Sequence, residues 1–482
     1  MLVPLAPFAP DQSIFSSQAS PDMLNAQPTK DGWAPINDHA ALSDALGAAS
    51  RGGIAVKNDA GTWKIFAGTA VGLYEINSAT YAWQDRTNSG GAYTLGADVF
   101  WDFEKWGNNL IATAVGSDFP QIRSLATGGL FSDLTNATFE AARVWTAGDF
   151  LCFGQIDGNK RKVKHSAIND ETGWTPGVDG SDEQTFPDGG DIQYGINQAS
   201  DALIIQENKI RRMQFDPVAG SAFGFPIVNP DRGAFAPRSV VNIGVGDFVY
   251  LSNDGFYRGA QAQPIGAERV DRWFFDQCAP DKYDLVSGYR DQYEKQVWWR
   301  FEDSGGTNHI LGYDWQLDRW FTADLDVTDI FGAATTGYSL DDLDTFGSMD
   351  SLPASLDSRT WQGGIPGLGG ISGAQKFGFF DGMTLEALLS TEDKGLNYPR
   401  RATTNRIVTL IDSDDAQVAI SSKELQGTAP SFGSYLSRES GQNFINSRVG
   451  GRWHRFKIKV PSGSVWANAT AIDVAHTDAG GR

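Results

Sequence analysis

Asp201-Ala202-Leu203-Ile204-Ile205-Gln206, a polar turn at Glu207-Asn208-Lys209, then Ile210-Arg211-Arg212-Met213-Gln214-Phe215: this stretch decides the fold. Its first apolar run is too short for a helix. Bounded by turn formers, it suits a strand buried on both faces, and the second run suits a partner strand beside it. The same texture recurs at 62–66 with 72–76, at 109–112, at 149–153, at 247–251 with 255–258, at 296–300 with 309–313, and again within 374–385. Taking Ile111, Leu151, Leu203, Val249 and Val297 as centres, successive runs lie 40, 52, 46 and 48 residues apart. A period of about 45 residues is the spacing of β-propeller blades, in which each small sheet buries its faces against its neighbours. A pair of β-sandwiches with hairpins at similar spacing is the competing arrangement.

Composition agrees with an all-β chain. Of 482 residues, 55 are Gly, which tight turns need, and 15 Trp with 29 Phe favour pleated, half-buried surfaces. The chain is therefore read as mainly β, in three parts. An extended N-terminal arm covers 1–50, with one expected helix at 38–49. A β-propeller-like body covers 51–399, with a loop insertion at 322–373 where Leu-Asp repeats and a Gly-rich run from Gly363 to Gly373 replace strand signals. A small β-sandwich-like region covers 400–482, with alternating strands at 406–411, 417–420, 455–460 and 471–474.

The formal net charge of −20 argues against a groove that grips nucleic acid by neutralising phosphates, though an acidic lumen lets DNA slide past. Cys152 and Cys278 are read as reduced core thiols. Residues 1–8 lack a basic stretch followed by a long apolar one, so no export signal is expected, and no run is long enough to span a membrane. The expected compartment of synthesis is a cytoplasm.

Chemistry-bearing motifs are sparse. His39, His165, His309, His454 and His476 are scattered, without metal-ligand spacing. Neither the run at Asp341, Asp342 and Asp344 nor Asp412, Asp414 and Asp415 follows a calcium-loop pattern, and both are read as solvated turns. Residues 252–257 superficially resemble the Asp-box of sialidase propellers but with the wrong Asp-to-Gly spacing. No nucleophile elbow or P-loop occurs, and Gly367–Gly370 is read as a loop without a phosphate cradle. No catalytic, cofactor-binding or metal-binding residue is assigned, no cofactor is expected, and the chain is read as a non-enzyme. A basic run stands out near the end: Arg438, Arg448, Arg452, Arg455, Lys457 and Lys459. It is expected to meet acidic surface on a neighbouring copy, so that charge reversal at Arg448, Arg452 and Arg455 weakens assembly and leaves folding intact.

The order of features resembles the tail hub, or nozzle-type (packaged-DNA-stabilisation), proteins of short-tailed bacteriophages. The resemblance rests on 20–26 in the arm, 201–215, 309–314 with Arg319 and Trp320, the basic segment 448–460, and the closing strand 469–474, while 339–358, with its Leu-Asp repeats, is similar to stretches in other phage structural proteins. It implies a propeller body in a homomeric, sixfold virion ring below the portal and its adaptor. Phage DNA would pass through the ring's lumen without sequence-specific binding, and the ring would help retain and then release the genome. The arm and the 339–373 loop would be straps between subunits. Two other classes compete: a secreted or surface glycan-binding propeller, possibly a glycoside hydrolase, and a trimeric tail spike or fibre.

Overall fold

Each apolar run of the sequence becomes a central strand of a small antiparallel sheet, and seven such sheets stand around one axis. The computed structural model describes residues 1–13, 15, 18–216, 222–334 and 367–479. Blade 1 runs from Ser50–Lys57 to Trp83–Asp85, blade 2 from Asp102–Trp106 to Ser132–Asp133, and blade 3 from Ala141–Ala147 to Asp182–Thr185. Blade 4 runs from Ile192–Gln198 to Phe223–Gly224, blade 5 from Val241–Gly244 to Gln263–Pro264, and blade 6 from Ser287–Asp291 to Arg319–Ala323. The second strands are the most buried. In blade 4, Asp201–Gln206 is buried at every position, because neighbouring blades cover both of its faces. Outer strands are short, two residues in blades 2, 4 and 5, which leaves little free edge for unwanted pairing.

Blade 7 is assembled from both ends of the chain. Its first three strands are Val327–Ala333, Gly367–Ser372 and Lys376–Phe379, and its outer strand is Ala40–Ala45. This corrects the expected helix at 38–49. The Ala-rich segment has helical propensity, but the open edge of Lys376–Phe379 offers it a ladder, and tertiary pairing overrides weak local preference. The expected loop at 322–373 also holds two strands. The described part of its Gly run, Gly367–Ser372, is a strand, and glycine is needed at 369 because a Cβ there would lie 2.7 and 2.8 Å from Ala333 and Phe377. The 339–358 repeats lie outside the described residues.

Residues 1–36 lie over a larger body, and their strand partners are in this chain. Leu2–Pro4 pairs with Ala469–Ala479, Met23–Leu24 with Ala387–Ser390, and the hairpin of Ala26–Pro28 and Trp33–Pro35 joins the same structure. Together with Arg401–Ile411, Gln417–Lys423 and Trp453–Val460 they make a two-sheet sandwich. The sandwich and propeller share one core. Phe8, Met23 and Trp33 of the arm, Phe256, Trp299 and Trp320 of blades 5 and 6, and Ile407, Phe456 and Val474 of the sandwich belong to a single buried cluster. The arm also covers the outer strand of blade 6, where the Asn25 amide donates to the Thr322 carbonyl (2.8 Å). Asp11 accepts the Arg272 and Trp273 amides (2.7 and 2.9 Å) at the start of Asp271–Gln277, the one α-helix among the described residues. Cys152 and Cys278 are free, buried thiols.

Blades are held at close distance by aromatic rings lying on glycines. Gly53 of blade 1 faces Phe331 of blade 7, Gly68 of blade 1 faces Trp101 at the start of blade 2, and Gly195 of blade 4 faces Trp145 of blade 3. A Cβ at Gly68 or Gly195 would sit 2.1 Å from the indole. Gly68→Ala and Gly195→Ala are each expected to cost about 1–3 kcal/mol by overpacking. Gly332→Ala, where nothing lies within 4 Å, serves as the neutral control. Denaturant unfolding of the three variants checks this, and equal midpoints would refute the inter-blade role.

Candidate functional site

The propeller axis gathers the polar side chains that the apolar blades exclude. A cavity of about 170 Å³ on the axis is lined from every blade, by Ile54, Asp102, Arg143, Tyr194, Arg238, Tyr289 and Phe331 among others. At the mouth where the inner strands begin it meets a wider cavity of about 360 Å³, and Arg143 and Arg238 line both.

Strand alternation sets these positions. Asp102 and Glu104 lie two apart on the inner strand of blade 2, so both point the same way. The Asp102 carboxylate accepts the Val144 amide (3.0 Å), and Glu104 accepts the Thr146 hydroxyl (3.2 Å), to which Asn197 also donates (2.6 Å). Arg238 precedes the inner strand of blade 5. It donates to Asp329 of blade 7 (2.8 Å) and lies over the Phe100 ring at 4.2 Å. Its Nη1 and the Asp329 Oδ2 are buried without hydrogen-bond partners. Arg143 is held by carbonyls instead, donating to Gln193 (3.0 Å) and Ala142 (3.2 Å).

Burial shapes the charge here. It pushes the Asp102 and Asp329 carboxyls up despite the opposing pull of Arg143 and Arg238. It raises Glu104 to about 8, helped by the Asp102 charge, and Tyr289 to about 12. Loss of water from around a charge disfavours the ionised acid, and Glu104 has no cation to compensate.

None of these axial residues was singled out in the sequence, although a signal existed. Asp102, Arg143, Tyr194, Arg238 and Tyr289 fall 9, 8, 9, 11 and 8 residues before the apolar centres at Ile111, Leu151, Leu203, Val249 and Val297. Polar residues 8 to 11 positions ahead of a repeating buried strand mark the inner strands or their approach.

The sequence candidates stay apart. His39 and His165 hydrogen-bond to carbonyls of Gly370 (3.0 Å) and Ser166 (3.3 Å), and burial lowers both. His309 lies between Asp324 (2.6 Å) and Asp303 (3.2 Å), which hold it above its usual value. His454 is lowered mainly by burial and further by the nearby His476, with no third ligand beside them. Among the described residues no group of three or more His, Cys, Asp or Glu could hold a metal. Asp412 clasps the Ala467 and Asn468 amides (3.0 and 2.9 Å), while Asp414 pairs with Arg438 (2.9 Å). Asp341, Asp342 and Asp344 lie outside the described residues. Residues 252–257 form an ordinary hairpin in blade 5.

The basic run needs a larger correction. Its alternate residues share the outer face of the Trp453–Val460 strand and are neutralised within the chain. Lys457 pairs with Asp22, Lys459 with Glu386 (3.1 Å) and Arg452 with Glu424 (3.7 Å). Arg455 and Lys423 share Asp393 at 2.8 and 2.7 Å, and the Asp393 side chain is 0% exposed. Arg448 alone of the strand's basic flank is exposed without an ion pair among the described residues.

The fold defines a seven-bladed β-propeller with an attached β-sandwich. Among solved structures it is similar to the computationally designed Ika8 protein (11% identity over 69% of this chain and 93% of that one, TM-score 0.37). It is also similar to the WD40 domain of Toxoplasma gondii coronin (10% identity, 92% and 91% covered, TM-score 0.28) and the N-terminal domain of Nup159 (12%, 53% and 74%, TM-score 0.31). No family model matches the chain, and no curated protein matches it.

Two outcomes are expected. Glu104 binds its proton more tightly folded (about 8) than unfolded (4.5), so its contribution to stability falls as pH rises between those values. Glu104→Gln should therefore melt higher than the parent near pH 8 and equally near pH 4; equal melting at both would remove the assigned burial. Arg455→Glu, beside a buried carboxylate, should destabilise folding by about 3–5 kcal/mol, whereas Arg448→Glu should be near neutral. Urea unfolding of the two variants decides, and matching midpoints would contradict the buried pairing.

Proposed function

We propose that this protein is a structural virion subunit of a bacteriophage neck or tail, a tail-hub or nozzle-type ring component that stands with copies of itself around an opening. The supporting observation is the single core that joins propeller, arm and sandwich. A subunit that carries load in a ring has to transmit it without a hinge, and a core continuous across both bodies gives that stiffness. Sealed edges fit the same task. The edge strand Gln417–Lys423 of the sandwich is covered by bridges from Leu436 and Phe432, so copies would meet through side-chain surfaces rather than by adding strands.

Charge fits as well. With most of the C-terminal basic residues neutralised internally, the excess of 59 acidic over 39 basic residues is left to the surface. Such a surface lets a polyanion pass without gripping it. Six copies below a portal and adaptor, as in the family it resembles, complete the reading. Among the described residues no helix is long and apolar enough to cross a membrane.

Native mass spectrometry and negative-stain imaging of the full chain test this. A closed ring of about six copies with a central opening is expected. A particle that stays monomeric at about 50 μM would favour the glycan-binding alternative, and a trimeric rod would favour a spike.

A further inference from the structure

The mouth cavity described above has a basic floor, an acidic rim and an apolar lip. At the floor, Arg143 and Arg238 arrive from blades 3 and 5. Arg143 hydrogen-bonds only to carbonyls, with Asp102 as its nearby counter-charge, and Arg238, paired with Asp329 through one nitrogen, keeps one buried donor unpartnered. Two guanidinium groups with unused donors, in a cavity of about 360 Å³ that opens to solvent, match a planar carboxylate.

At the rim, Lys160 is occupied by Asp191 (3.5 Å), whereas Asp98 and Asp284 make no ion pair among the described residues. The rim therefore suits a cation, and it disfavours a ligand that is anionic throughout. Of its apolar lining, Val115 is 43% exposed and Phe235 41%. Apolar side chains exposed beside a polar cleft mark a surface that buries against something larger than an ion.

We propose that this cup binds an extended peptide segment of a partner protein, taking one acidic side chain onto Arg143 and Arg238 while a basic residue on the segment's shoulder meets Asp98 or Asp284. The commitment to a peptide rests on charge complementarity in two layers together with the apolar lip. A free dicarboxylate or phosphate would use the floor and leave the rim and lip unmatched. The site is independent of the ring reading, because the mouth is complete within one propeller.

The probe is a capped pentapeptide with a central glutamate, a leucine on each side and arginine at both ends. Ligand-observed NMR on the full chain should show saturable binding below about 1 mM, with the glutamine-centred peptide at least about tenfold weaker. Arg143→Gln and the surface variant Phe235→Ser should each weaken the glutamate peptide by about tenfold with unchanged assembly state, and Phe235→Ser, which removes no buried charge, with unchanged melting as well. No binding up to about 10 mM, equal affinity for both peptides, or indifference to both variants overturns the site. Free glutamate binding as well as the peptide overturns the peptide assignment. Loss of the ring in negative stain with peptide binding intact would count against the proposed function and leave this site standing.

Discussion

The pairing of Ala40–Ala45 with Lys376–Phe379 is the contact on which the rest of the molecule depends. Six blades can each form from a contiguous stretch of chain, but a circle of wedges is stable only when the last is finished and packed against the first. Here the finishing strand comes from before blade 1. It is fixed by more than its ladder: the Phe377 amide donates to the Ser43 hydroxyl (2.8 Å), and Gln375 accepts the Ser50 and Leu46 amides (2.8 Å each). The chain leaves the sandwich just before Ala40–Ala45 and re-enters it just after Lys376–Phe379, through Ala387–Ser390. The sandwich therefore clamps both sides of the closure, which explains why a short alanine-rich strand suffices.

Charge is handled in the same self-contained way. Between blades 1 and 2, Glu75 accepts Lys64, Arg86 and Arg123 at 3.2, 2.9 and 2.7 Å, and Arg123 is wedged between Phe66 and Phe131. In the sandwich, Asp393 plays the corresponding role for Lys423 and Arg455. Such pairs add little net stability over apolar packing, but they penalise any arrangement that separates the partners, so they fix the register of neighbouring elements. The axis is the exception, where Glu104 has no cation and Arg238 has a spare donor.

How much of this could be read from the sequence follows from where each strand sits. Second and third strands were legible because both faces are covered, which leaves unbroken apolar runs such as 202–205. The seven recurrences noted in the sequence each lie in a different blade. Inner strands were not legible, since they alternate between core and axis and so read as mixed segments like Asp102-Phe103-Glu104-Lys105-Trp106. Outer strands of two or three residues carry no periodic signal. The arm's strandedness was hidden because its partners lie more than 360 residues away, and the basic run misled because its counter-charges, Asp22, Glu386 and Asp393, are distant in sequence. The axial ring was missed through the same long-range geometry, although its offset from the buried strands was present.

The narrow, side-chain-filled axis has one more implication. Arg143, Tyr194, Arg238 and Tyr289 leave about 170 Å³ at the centre of the propeller, room for a few water molecules and nothing with a backbone. Among the described residues, the side chains that fill the axis leave no bore for a polymer through a single molecule. Any conduit these molecules border has to run between them, and its bore is then fixed by headcount and tilt, two quantities that evolution can retune at the outer surface without disturbing a single blade.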